Sequence, residues 1–340
     1  MGETSQRDNS ISLTRVIACL FIIICHLGSY FDSVVIGQLF NVGVPIFFLI
    51  SGYLYGEKRI KNIGDFLFKR YIRLEIPALI WLAIVCISAV IRHTEIPALH
   101  KCIFIFLNLQ GLNFIFTKIQ DLFIGPWFFT NIMFCYIFYV VFQKIEDKHP
   151  KVYKLITVWG GMLPLLIFVL LGAFHIRVGG LLGFFMGVTL RREHLLDYPK
   201  KRYILLYGFL AIFSVAVRLF TKRFIDGTVY YDEIIVPLTY VILAAALFAS
   251  IRWLFTVMPS IDKLASSRFV QHLDRISIYT YICHDFLFSG VVLSVFRWPL
   301  SMYILIPIYL CLVIIFATVL WFIGDFAADK IEKTREWLVG

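Results

Sequence analysis

Apolar runs of about twenty residues recur from one end of the chain to the other, and this repetition limits the folds available to it. In a bilayer the backbone must satisfy its own hydrogen bonds, so such runs form helices. The chain is 60% hydrophobic and 16% charged, with a mean hydropathy of +0.83. No polar stretch between the runs is long enough for a soluble domain. The sequence therefore predicts an all-α polytopic membrane protein with one domain over 1–340.

Runs bounded by charges predict about ten transmembrane helices in one bundle. The predicted spans lie near 11–30, 38–56, 76–92, 126–143, 152–171, 176–190, 202–219, 232–252, 276–296 and 301–324. The apolar segment 102–125 is broken by Asn108, Gln110, Gly111 and Asn113. A re-entrant or interfacial piece is the favoured interpretation of that segment.

The distribution of basic residues predicts the orientation of the spans. With a cytoplasmic N-terminus and ten spans, most of the 32 Lys and Arg residues fall in cytoplasmic segments, as the positive-inside rule requires. Both termini are then cytoplasmic. The same distribution accounts for the net charge of +10 through membrane topology, so we expect no nucleic-acid partner.

Seven cysteines are scattered through the apolar runs without the paired spacing of a zinc site, so no metal is expected. The first run resembles a secretory signal in length. Arg15 interrupts it and no cleavage site follows, which favours a retained helix.

The first predicted helix carries two unexpected polar residues, Arg15 and His26. They are eleven residues apart, which places them on one face of an α-helix and about 16 Å apart along its axis. Charged residues within spans are costly and commonly mark a functional site. The alternatives are an arginine that snorkels to the headgroups and a histidine that makes an interhelical hydrogen bond. Because both lie on one face, the pair favours a buried site, in which a neutral histidine could act as a base.

A second polar face lies in the ninth predicted span, where Ser277, Tyr281 and His284 are spaced by four and three residues. Polar packing between helices is the alternative. Two intramembrane histidines on separate polar faces favour a shared internal cavity that handles protons.

Arg70 and Arg73 lie three residues apart in a basic segment that ends at Pro77, where the third span is predicted to begin. Two arginines at this spacing lie close together and can bind one phosphate. The alternative is contact with lipid headgroups.

These stretches together resemble the acyltransferase-3 family of integral membrane acyltransferases, and the resemblance covers the whole chain. Arg15 and His26 match the family's first-helix pattern of an arginine and a histidine separated by ten residues. The stretch GVPIFFLISGYL resembles the second-helix signature, and Arg70 and Arg73 match the arginine-pair motif. The stretches PWFF, from Pro126, and RISIYTYICH are similar to looser family patterns.

The resemblance implies an enzyme that moves an acyl group, usually acetyl, from cytoplasmic acyl-coenzyme A to a hydroxyl of a cell-envelope glycan or glycolipid. Arg70, Arg73 and Arg15 would bind the donor, acetyl-coenzyme A. His26 would be the essential base, or would carry the acyl group itself. Tyr281 and His284 would assist catalysis. The location would be the inner or plasma membrane.

Some larger relatives carry an added extracytoplasmic domain, and the sequence contains no stretch like it. The sequence does not identify the acceptor, the acyl group or the oligomeric state. It also leaves two alternatives: the protein completes the transfer itself, or a separate extracytoplasmic partner does. The rival interpretation is an exporter or flippase of lipid-linked glycans, since polar residues also line transport paths.

Overall fold

The described part of the chain is helical throughout. The structure is a computed structural model, and it describes residues 8–31, 33–91, 93–112, 126–151, 179–197, 203–288 and 302–339. No strand occurs in these ranges. The α-helices, in chain order, are α1 (Asn9–Tyr30), α2 (Val34–Phe40), α3 (Gly43–Tyr55), α4 (Ile63–Ile91), α5 (Leu99–Phe106), α6 (Trp127–Lys148), α7 (Gly179–Arg192), α8 (Ile204–Ile225), α9 (Val236–Val257), α10 (Pro259–Ala265), α11 (Arg268–Arg275), α12 (Ser277–Asp285) and α13 (Met302–Val339).

Within the described ranges, seven helical segments are long and apolar enough to cross a membrane. They are Asn9–Gly28, Val35–Tyr55, Ile63–Ile91, Trp127–Lys148, Ile204–Ile225, Tyr231–Val257 and Ile304–Arg335. Each coincides with one of the ten predicted spans, which confirms a multi-pass membrane protein.

The other three predicted spans are not tested fully. The fifth, 152–171, lies outside the described residues, and α7 and α12 cover only parts of the sixth and the ninth. The total of ten and the orientation of the termini stay predictions.

Helix α4 begins at Ile63, well before the predicted start of the third span at 76. The backbone N–H of Asp65 donates to the side-chain oxygen of Asn62 over 3.0 Å, which caps the helix. The Asp65 carboxylate in the first turn also complements the helix dipole. Pro77 therefore lies inside the helix and does not open it, and Arg70 and Arg73 belong to a helix and not to a loop.

The interruption predicted within 102–125 is present where the structure describes it. Helix α5 ends at Phe106, and Asn108 has a φ of +55°. Asparagine tolerates this left-handed conformation better than most residues. Residues 113–125 lie outside the described ranges, so the re-entrant path stays a prediction.

Two compact units can be recognised by their internal contacts. In the described residues the first unit contains α1, α2, α3 and α7 to α11, and the second contains α4, α5, α6, α12 and α13. In the first unit, α3 and α7 cross at Gly52 and Gly187. A Cβ at Gly187 would lie 2.7 Å from the Tyr53 backbone nitrogen and closer still to the Leu49 carbonyl oxygen. Only glycine allows these backbones to approach so closely.

Gly187→Ala is expected to destabilise the first unit by about 1–3 kcal/mol, because the added methyl group forces the two helices apart. The thermal unfolding midpoint of detergent-purified protein should fall. Gly208→Ala in α8 is the matched control, since a Cβ there meets nothing within 4 Å. Equal midpoints for the two variants would contradict the proposed crossing.

Candidate functional site

Helix α1, which carries Arg15 and His26, is fixed at its N-terminus by Asp8. The Asp8 carboxylate accepts hydrogen bonds from the Ser10 backbone N–H (3.0 Å) and the Ser10 hydroxyl (2.5 Å), and it pairs with Arg252 of α9 over 2.7 Å. Burial alone would raise the pKa of Asp8, but the Ser10 hydrogen bonds and the Arg252 charge outweigh it, and the pKa lies below its usual 3.8. The start of α1 is therefore fixed to α9.

Arg15 is held by an ion pair within the first unit. Its Nη1 lies 3.3 Å from Oδ1 of Asp274 in α11, the carboxylate is fully buried, and the arginine side chain stays 31% exposed. The carboxylate offsets the charge of the arginine, so Arg15 does not depend on the headgroups to tolerate its position. The side chain is partly exposed, and a guanidinium has more N–H donors than this one contact uses.

His26 lies on the exposed side of α1, near the end of that helix. The helix is continuous from Asn9 to Tyr30, so the predicted common face of Arg15 and His26 is retained. The neighbouring Cys25 points away, with its thiol 3.2 Å from the Gly37 carbonyl oxygen of α2. The imidazole is therefore exposed at the helix surface, and not buried as the sequence pattern favoured.

In the second unit, Arg70 and Arg73 face different neighbouring helices. The Arg70 guanidinium lies 5.7 Å from the ring centre of Phe66 and 6.0 Å from that of Tyr136 in α6. The Arg73 side chain is 60% exposed, and its Nε lies 3.7 Å from the Glu332 carboxylate of α13. This contact is longer than a hydrogen bond, so it holds the exposed Arg73 side chain only weakly.

His284 and Tyr281 also belong to the second unit, on α12. The buried His284 ring, 3% exposed, has its Nδ1 2.8 Å from the Tyr281 carbonyl oxygen. A carbonyl only accepts, so Nδ1 carries the proton and the neutral ring presents Nε2 as an acceptor. The backbone thus selects the tautomer in which Nε2 can take a proton.

The two looser family patterns, PWFF and RISIYTYICH, meet in this unit. The Tyr281 ring lies 5.7 Å from the ring of Phe128 and 6.0 Å from that of Phe129, both in the first turn of α6. The motif residues therefore build one aromatic wall beside Tyr281.

A buried polar cluster at the start of α6 was not predicted as part of a site. Thr130 donates to Asn108 over 3.3 Å and accepts from the Gly111 N–H over 2.9 Å, while Gln110 donates to the Pro126 carbonyl oxygen over 3.4 Å. The sequence signal was the run of amides in segment 102–125. These side chains join the end of α5 to the start of α6.

The predicted site residues are thus divided between the two units. The first unit holds Arg15 and His26 on one face of α1, and Asp274 joins them as a partner that sequence reasoning missed. The second unit holds Arg70, Arg73, Tyr281 and His284. Across the described ranges, no group of three metal-ligating side chains comes together.

Comparison with known proteins gives one match. The sequence model of the family described as an acyltransferase domain matches residues 8–324, nearly the whole chain. No curated protein and no solved structure matches the chain. The match covers far more than half of the chain, and the chain belongs to the acyltransferase-3 family.

Proposed function

We propose that this membrane protein is an O-acyltransferase that moves an acyl group, acetyl by the resemblance to its family, from cytoplasmic acyl-coenzyme A to a hydroxyl of a cell-envelope glycan or glycolipid. The observation that carries the proposal is the unbroken α1, which keeps the Arg15 and His26 motif of the matched family on one face. The membrane in question would be the inner or plasma membrane.

The chemistry requires one base. The acceptor oxygen attacks the thioester carbonyl carbon while His26 takes the hydroxyl proton. The tetrahedral intermediate then collapses, the C–S bond breaks, and the proton passes from the imidazolium to the departing coenzyme A thiolate. A C–O bond replaces the C–S bond, and His26 returns to its neutral form.

The cationic side chains suit the donor. Coenzyme A carries phosphates, and Arg70 and Arg73 would bind them through charge-assisted hydrogen bonds. Arg15, with Asp274 behind it and one edge exposed, would orient the donor along α1. Tyr281 would donate to the oxyanion of the intermediate, and His284, whose Nε2 is an acceptor, would relay a proton.

His26→Ala is expected to lower the transfer rate by about 10²- to 10⁴-fold, because the general base is lost. The measurement is transfer of radiolabelled acetyl from acetyl-coenzyme A to envelope glycan in membranes with matched protein levels. His100→Ala, an exposed histidine of α5, is the matched control and should keep full activity. Undiminished transfer by His26→Ala would remove the proposed base.

The double variant Arg70→Ala/Arg73→Ala is expected to raise the KM for acetyl-coenzyme A by about tenfold or more, with a smaller change for the acceptor, since each lost charge-assisted hydrogen bond weakens donor binding. Lys330→Ala/Lys333→Ala is the control, because it removes two exposed cations at the same spacing from α13. If the acceptor KM rose instead, these arginines would belong to the acceptor site.

A further inference from the structure

Arg218 of α8 is a buried cation that the donor chemistry does not use. Its side chain is fully buried, with 0% of its surface exposed. In the part of the chain that the structure describes, Nε, Nη1 and Nη2 have no hydrogen-bond partner and no carboxylate pairs with the group. The guanidinium stacks on the Tyr240 ring of α9, with 3.9 Å from Cζ to the ring centre.

This arrangement is energetically unfavourable unless something outside the described residues completes it. A guanidinium keeps its charge in a protein, and an isolated buried charge is far costlier than a paired one. Stacking on Tyr240 covers one face of the planar group. Its buried N–H edge, the part that binds carboxylate or phosphate in a two-point contact, has no partner among the described residues.

Two tyrosines order the surroundings of Arg218. The Tyr240 hydroxyl donates to the Gln38 carbonyl oxygen over 2.9 Å, and the Tyr231 hydroxyl donates to the Arg218 carbonyl oxygen over 3.3 Å. Tyr231 opens a π-helical turn, Tyr231–Ile235, that precedes α9. Such turns occur frequently at functional sites.

The same contacts connect Arg218 to the part of α1 that carries the proposed base. Tyr240 bonds to Gln38 of α2, and the adjacent Gly37 accepts from the thiol of Cys25, the residue before His26. All of these residues belong to the first unit. The buried cation and the His26 end of α1 are therefore joined through α2 and α9.

We infer that Arg218 binds an oxyanion, a carboxylate or a phosphate, carried by the acceptor, so that the acceptor is an acidic glycan or glycolipid. This inference rests on the proposed function and adds the substrate class. Arg218 would bind the anionic group of the acceptor, while a hydroxyl of the same acceptor reaches His26. An anionic phospholipid headgroup offers the same chemistry from another source, and the experiment separates the two.

The binding test uses the purified protein in a neutral detergent and follows thermal unfolding. Glucuronate or inorganic phosphate should raise the midpoint of the wild type, and glucose, a neutral sugar, should not. The rise should vanish in Arg218→Gln and persist in Arg223→Gln, which removes an exposed cation from the same helix. Arg218→Lys keeps the charge but not the planar edge, so its rise should be smaller.

Three results would overturn the inference. The first is no midpoint rise with either anion in the wild type, and the second is an equal rise in Arg218→Gln. The third is an Arg218-dependent rise with phosphatidylglycerol micelles but with neither soluble anion, which would make the site a lipid site. If Arg218→Gln does not fold, the wild-type series and Arg218→Lys still show whether Arg218 binds the anion.

The transfer assay separates this inference from the proposed function. With an acidic acceptor, Arg218→Gln should raise the acceptor KM about tenfold or more and leave the donor KM unchanged. Absence of transfer by the wild type would contradict the proposed function. The binding series would still test whether Arg218 binds an anion. Normal transfer with an unchanged acceptor KM in Arg218→Gln would contradict only the inference that Arg218 binds the acceptor.

Discussion

A charge placed within a membrane span must be compensated inside the protein, and Arg15 meets this constraint through Asp274. The carboxylate is fully buried and lies 3.3 Å from the guanidinium, so removal of either partner would leave the other without compensation. The pair also fastens α1 to α11, while Asp8 and Arg252 fasten the start of α1 to α9. The position of His26 follows from these two attachments, since it lies on the same unbroken helix.

The two histidines predicted to lie in spans stand in different environments, which suits different tasks. His26 is exposed on α1. His284 is buried, and its Nδ1 hydrogen bond to the Tyr281 carbonyl oxygen fixes the tautomer of the neutral ring. An exposed imidazole suits a general base that acts on a substrate, and a buried ring whose Nε2 is an acceptor suits a proton relay.

Much of this arrangement could be predicted from the sequence, because apolar length and helical periodicity depend on local residues. Seven spans and the common face of Arg15 and His26 were predictable in this way. Asn62 and Asp65 form a recognisable cap at the start of α4, but the charged residues that follow lack the apolar run by which a span is predicted. The partnership of Arg15 with Asp274 joins residues 259 positions apart, and no local pattern reports such a contact.

Arg218 shows the opposite case. Its position near the end of a predicted span is visible in the sequence, but its full burial and its stacking on Tyr240 depend on how α8 and α9 pack. Periodicity assigns a residue to a helix and a face. It does not tell whether a charged side chain on that face finds a partner.

The central claim is that the Arg15 and His26 face of α1 lines the path of the acyl donor. The most direct measurement is cross-linking of the purified protein with coenzyme A that carries a photoreactive acyl group, followed by mass spectrometric mapping of the labelled peptides. The account predicts labels in α1 between Arg15 and His26 that excess acetyl-coenzyme A removes. Competable labels found only outside α1 would contradict it.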